Sequence, residues 1–167
     1  AQGQAVFFLL AALGSGLITT GMVYAKTRVG YAQFWRLNRR VMVAMVVIQF
    51  LCSIPPLDGI VFDRILALEP AFRSIARDSL LYSIPATILF QLRNPYQAIL
   101  YNGRASAAAN AATLGRIALT VLLAYLFVRV GLVGHYAGIV AFTLPIVGEW
   151  QASRRLARRL TEDLPAG

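Results

Sequence analysis

The chain has 167 residues, of which 58% are hydrophobic and 14% charged, with a formal net charge of +9. Its mean hydropathy is +0.64, well above the balance of soluble domains, and this predicts a membrane protein. The basic residues fall in short clusters between apolar runs rather than on one face. That pattern argues against nucleic acid as a partner and for a topological role.

Five apolar segments, each near the roughly 20 residues of a spanning helix, are expected at about 4–24, 37–56, 79–101, 108–130 and 134–154. The fold class is therefore all-α, a polytopic membrane protein. The chain opens on Ala1, and AQGQAVFFLLAALGSG lacks the basic stretch of a secretory signal. Either a leader has been removed or the sequence starts inside a longer gene, and the second is the expectation.

Segment two is the weakest span, because its uninterrupted apolar part runs only from Val41 to Ile54, with Trp35 to Arg40 as interfacial flank. The following PPLDGIVFDRILALEPAFRSIARD is amphipathic. Pro70 after Glu69 marks the first turn of a helix continuing into segment three. Pro85, Pro95 and Pro145 lie within segments and predict kinks. Cys52, the single cysteine, sits in an apolar run and reads as a small hydrophobe.

Lys26, Arg28, Arg36, Arg39 and Arg40 mark one end as cytoplasmic by the positive-inside rule. Alternation puts the acidic 55–78 connection outside, the Gly103-Arg104 turn inside and the GLVGHY turn outside. The basic tail 155–167, entered through Arg154 and Arg155, is again cytoplasmic. This orientation, with the amino terminus outside, suits an integral protein of a bacterial inner membrane.

Arg93 and Arg116 flank the turn at Asn102–Ala105 almost symmetrically. In an antiparallel hairpin each lies about 13 Å deep at 1.5 Å per residue. A charge at that depth costs about 3 kcal/mol or more and usually faces a bundle interior or aqueous cavity. Gln91, Asn94, Gln97 and Asn110 surround the pair, and SAAANAATLG on segment four leaves room. The expectation is a basic, water-accessible cavity for a small anion, with Arg93 and Arg116 as clamps for carboxylate or phosphate. Arg93, Arg116, Asn94, Gln91 and Asn110 are the candidate substrate-binding residues. Glu149 is a candidate counter-ion or protonatable coupling group. Two other readings remain open: one or both arginines pair internally with Glu149, or cap carbonyls near the kink at Pro95. His135 reads as a solvated turn residue, and Gly131, Gly134 and Gly138 as turn and packing positions.

No metal-binding, nucleophile-elbow or phosphate-loop motif is present in the sequence, so neither an enzyme nor a cofactor is expected. Asp58 and Asp63 with Arg64 are too few for the aspartate array of a membrane phosphotransferase.

Arg93, Arg116, Gly131, Gly134, Gly138 and the Gly148-Glu149 pair together resemble the carboxyl-terminal lobe of the multidrug/oligosaccharidyl-lipid/polysaccharide exporter superfamily. Within it, the likeness is to the progressive ankylosis transporters. ILALEPAFRSIARDSLLYSIPAT is similar to that superfamily's lead-in to its tenth helix. The resemblance implies a MATE-like fold of two lobes, a missing amino-terminal lobe of the same chain as partner, and efflux of an organic or phosphorylated anion by alternating access. The chain departs from the family pattern at Leu81, where the family has an arginine, and at Asn94 and Pro95. Alternatives within the superfamily are a lipid-linked oligosaccharide or polysaccharide flippase and a cation-coupled drug exporter. From another class, a small five-helix membrane scaffold also fits.

Overall fold

A computed structural model describes residues 16–103 and 105–166. The chain is all-helical, with no strand among the described residues. Helix α1 covers residues 16–24, so most of the first expected segment lies outside the described residues. Then come α2 (Arg28–Leu51), a one-turn α3 (Leu57–Gly59) running into a π-helical stretch (Ile60–Ile65), α4 (Pro70–Tyr82), α5 (Ile84–Asn102), α6 (Ser106–Arg129) and α7 (His135–Glu162).

Local chemistry sets these boundaries. Thr27, extended at φ −135° and ψ 159°, accepts the Gly30 N–H at 3.1 Å, which starts α2 nine residues before the expected span. The basic stretch ahead of the expected span is therefore helical from Arg28. Its buried residues, Tyr31, Phe34, Asn38, Met45 and Gln49, recur at spacings of three, four and seven residues, the signature of one covered helix face.

Pro70 occupies the first turn of α4, where its missing N–H costs nothing. The helix does not continue unbroken into segment three. It stops at Ser83, and Pro85 stands in the first turn of α5, because a proline that cannot donate ends the preceding hydrogen-bond ladder. Gly131 and Gly134 adopt φ +76° and +135°, conformations that side chains disfavour, and these set the turn from α6 into α7. That helix runs through Glu162, so the basic tail expected from residue 155 is largely its continuation.

Helix α5 is the axis of the bundle, packed against α2, α6 and α7, with α7 also packed on α6. α5 and α7 run in the same direction. Tyr82 meets Tyr136 at 5.1 Å between ring centroids, and Phe90 meets Phe142 at 5.9 Å. Glu149 of α7 then meets Arg93 of α5. α6 returns antiparallel through the hairpin. Among the described residues, α6 is the one helix long and apolar enough by itself to cross a membrane, and it presents that surface outward.

The interior around α5 is unusually polar, and proline is part of the reason. Pro95 lacks the N–H that would bond the carbonyl of Gln91 four residues back. Asn38 Nδ2 of α2 donates to that carbonyl at 2.7 Å. Three turns further along α2, Gln49 bridges the α4–α5 break. Its Nε2 donates to Leu80 O at 2.8 Å and Ser83 Oγ at 2.7 Å, and its Oε1 accepts from Thr87 Oγ1 at 2.8 Å. Both amides are buried, where an unpaired carbonyl would be costly.

Candidate functional site

The deepest ionic cluster is assembled from three helices. α5 supplies Arg93 and, one turn on, Gln97; α6 supplies Thr113 and Arg116; α7 supplies Glu149. Spacings of four and three residues put each pair on one helix face. Arg93 Nη1 donates to Glu149 Oε2 at 2.8 Å, and Arg116 Nε lies 2.9 Å from the same oxygen. The other oxygen, Oε1, accepts from Thr113 Oγ1 at 2.6 Å and Gln97 Nε2 at 3.1 Å.

The Glu149 side chain is fully covered, and those of Arg93 and Arg116 are 8% and 14% exposed. Phe90 lies against both guanidinium groups, its ring centroid 4.7 Å from Arg93 Cζ and 5.5 Å from Arg116 Cζ. An aromatic face stabilises cations of this kind in a poorly solvated place.

Two guanidinium groups thus share one carboxylate, and the cluster carries one surplus positive charge when Glu149 is ionised. Its hydrogen bonding is also uneven. Arg93 Nε is buried without a hydrogen-bond partner, and the Arg116 Nε–H is not aligned on the carboxylate oxygen beside it. Glu149, by contrast, has both oxygens engaged. The expected open clamp is in this structure filled by a carboxylate of the chain itself. Of the two internal readings left open by the sequence, the arginines pair with Glu149, while the carbonyl freed by Pro95 goes to Asn38 rather than to an arginine.

The remaining expected residues divide. Gln91 and Asn94 belong to a neighbouring network. Asn94 Nδ2 donates to Gln91 Oε1 at 3.0 Å, and Gln91 Nε2 points at Met45 Sδ at 2.9 Å. They tie α5 to Met45 of α2 beside Arg93. Asn110 does not line the cluster: it is exposed and accepts from Tyr101 OH at 3.1 Å. The buried neighbour Ala109 takes the inward position, and one residue turns a helix by about 100°. Thr113 and Phe90 were not anticipated. Thr113 is one turn before Arg116, which is the signal that finds it. Asn38 is legible only once Pro95 is seen to free a carbonyl.

The chain matches no family model, no curated protein and no solved structure at the level of significance.

Proposed function

We propose that the chain is a polytopic membrane bundle whose Arg93–Arg116 pair binds a small organic or phosphorylated anion, as part of one lobe of a MATE-like exporter. The carrying observation is the two-to-one cluster: a buried surplus of positive charge centred on a carboxylate. A carboxylate is the chemistry that two guanidinium forks recognise. Glu149 is then the resident counter-ion, and an incoming anion either displaces it or adds beside it at Arg93 Nε. The membrane reading draws on the composition and on the outward apolar surface of α6. It assigns the polar residues of α2 and α5 to the bundle interior, where a spanning segment tolerates them.

The rival reading is a membrane scaffold locked by the same cluster, and it draws on the complete pairing of Glu149. Equilibrium dialysis of labelled citrate and pyrophosphate against the purified chain separates the two. The transporter reading expects saturable binding that weakens at least about tenfold in Arg93→Ala or Arg116→Ala. Undiminished binding by the double variant, or none by the parent chain, rejects it.

A further inference from the structure

Helix α2 is covered on one side. Its buried stripe, from Tyr31 through Asn38 to Gln49, packs on α5 and α4. On the opposite side Gln33, Arg36, Arg40, Val43, Val47 and Phe50 are all exposed. They follow one another at alternating spacings of three and four residues. On a helix that spacing makes one straight seam, the kind that packs against a single further helix.

The seam changes chemistry along its length. Its first half is basic, with Arg39 beside Arg36 and Arg40, and among the described residues none of the three is ion-paired. Its second half is apolar, with Val43, Val47 and Phe50 about half exposed. The basic half does not lie at the end of the bundle. Arg28 marks that end, its Nη2 donating to Glu162 O at 2.6 Å, and Arg36 and Arg40 stand about 12 and 18 Å further along α2 at 1.5 Å per residue. Asn38, between them, bonds Gln91 O, two residues before Arg93. The exposed arginines are therefore level with the buried cluster. A guanidinium facing hydrocarbon at that depth costs about 3 kcal/mol or more. Inside the bundle the same demand is met by a carboxylate, Glu149, which takes two arginines.

We infer that the outer seam of α2 docks one further membrane helix, apolar against Val43, Val47 and Phe50 and carrying carboxylates against Arg36 and Arg40. The inference rests on the membrane part of the proposed function. Charge complementarity selects the occupant. A second copy in the same orientation does not supply it: Glu149 is the one carboxylate at this level and is fully covered, while the exposed Asp63, Glu69, Glu162 and Asp163 lie in the 57–69 connection or at the end of α7. Lipid phosphates stay at the bilayer surface, out of reach of Arg40. A water-filled lumen would account for the arginines but not for the apolar continuation of the same seam. A helix with carboxylates at matching spacing on one half satisfies both halves.

The probe is a dye-labelled spanning peptide of roughly 20 leucines and alanines with two glutamates four residues apart in one half; its control carries glutamine at both places. Each is titrated with the purified chain in a neutral detergent, and binding is read by fluorescence anisotropy. The seam predicts binding at least about tenfold tighter for the glutamate peptide. Arg36→Gln with Arg40→Gln removes that preference, Arg36→Lys with Arg40→Lys keeps it, and Val47→Asn weakens both peptides alike. Equal affinity for the two peptides overturns this inference alone, as does a preference that survives the glutamine pair. Equally effective competition by soluble polyglutamate also overturns it, because the arginines would then read charge without a helix. Release of the expressed chain from vesicles by alkaline carbonate overturns the membrane reading and this inference together.

Discussion

Two ionic triads in this molecule are near mirror images. On the 57–78 connection Arg73 joins two carboxylates, Asp58 at 2.7 Å and Asp63 at 2.9 Å, with Arg77 and Asp78 paired beside them at 3.2 Å. In the bundle, Glu149 joins two guanidinium groups at 2.8 and 2.9 Å. The distances are alike and the surroundings are not. Asp58 is covered, but Arg73 and Asp63 are 36% and 40% exposed, so water and salt screen the surplus negative charge there. The inner surplus has a phenylalanine ring and covered side chains around it, where an uncompensated charge is expensive. The outer triad fastens a connection; the inner one buries one more cation than anion.

The buried triad is the more sensitive of the two to loss of a member. Glu149→Ala leaves two buried guanidinium groups without their carboxylate and is expected to lose about 3–5 kcal/mol of stability. Added sulfate should recover part of that loss. Equilibrium unfolding in detergent with and without sulfate measures both.

Next in size is the amide beneath the site. Asn38→Ala removes the donor to Gln91 O and should cost about 1–3 kcal/mol. In a Pro95→Ala background, residue 95 regains an N–H for that carbonyl, and the cost of Asn38→Ala should shrink by at least about 1 kcal/mol. Additive losses in the double-mutant cycle would dissociate Asn38 from the proline.

At the outer triad, Arg73→Ala is expected to cost about 1 kcal/mol, less in high salt. The smallest effect is its pH dependence. The hydrogen bond from Arg73 holds the Asp58 carboxyl below the usual carboxylate range, despite its partial desolvation. A lowered folded-state value means the stabilisation is complete above the ordinary value of about 3.9 and fades as pH falls through the lower, folded one. Hydrogen exchange over residues 57–69 should therefore rise only below about pH 4 in the parent chain, and at a higher pH in Arg73→Ala.

Much of this arrangement is legible in the sequence, for particular reasons. Arg93 and Arg116 stand at nearly equal distances from a short helical turn, and hairpin geometry alone places them at one level; both reach Glu149. What the sequence hides is azimuth and continuity. Asn110 has the right depth and the wrong face, because the inward position falls on Ala109. The start of α2 is hidden because Gly30 and the arginines at 28, 36, 39 and 40 interrupt the apolar pattern there, while the helix is held by Thr27 capping and the stripe through Phe34 and Asn38. The break at Ser83 and the filling of the Gln91 carbonyl depend on which side chain of another helix arrives there, which no local pattern specifies.

On the proposed function, Glu149 occupies a place that an external anion would take. Glu149→Gln tests it most directly, since the amide keeps the shape and surrenders the charge. Citrate titrated into the parent chain and into this variant, with dissociation constants compared, should show binding at least about tenfold tighter in the variant. Binding weakened by Glu149→Gln to the extent expected of Arg93→Ala would make the cluster a structural lock and rule out an anion site there.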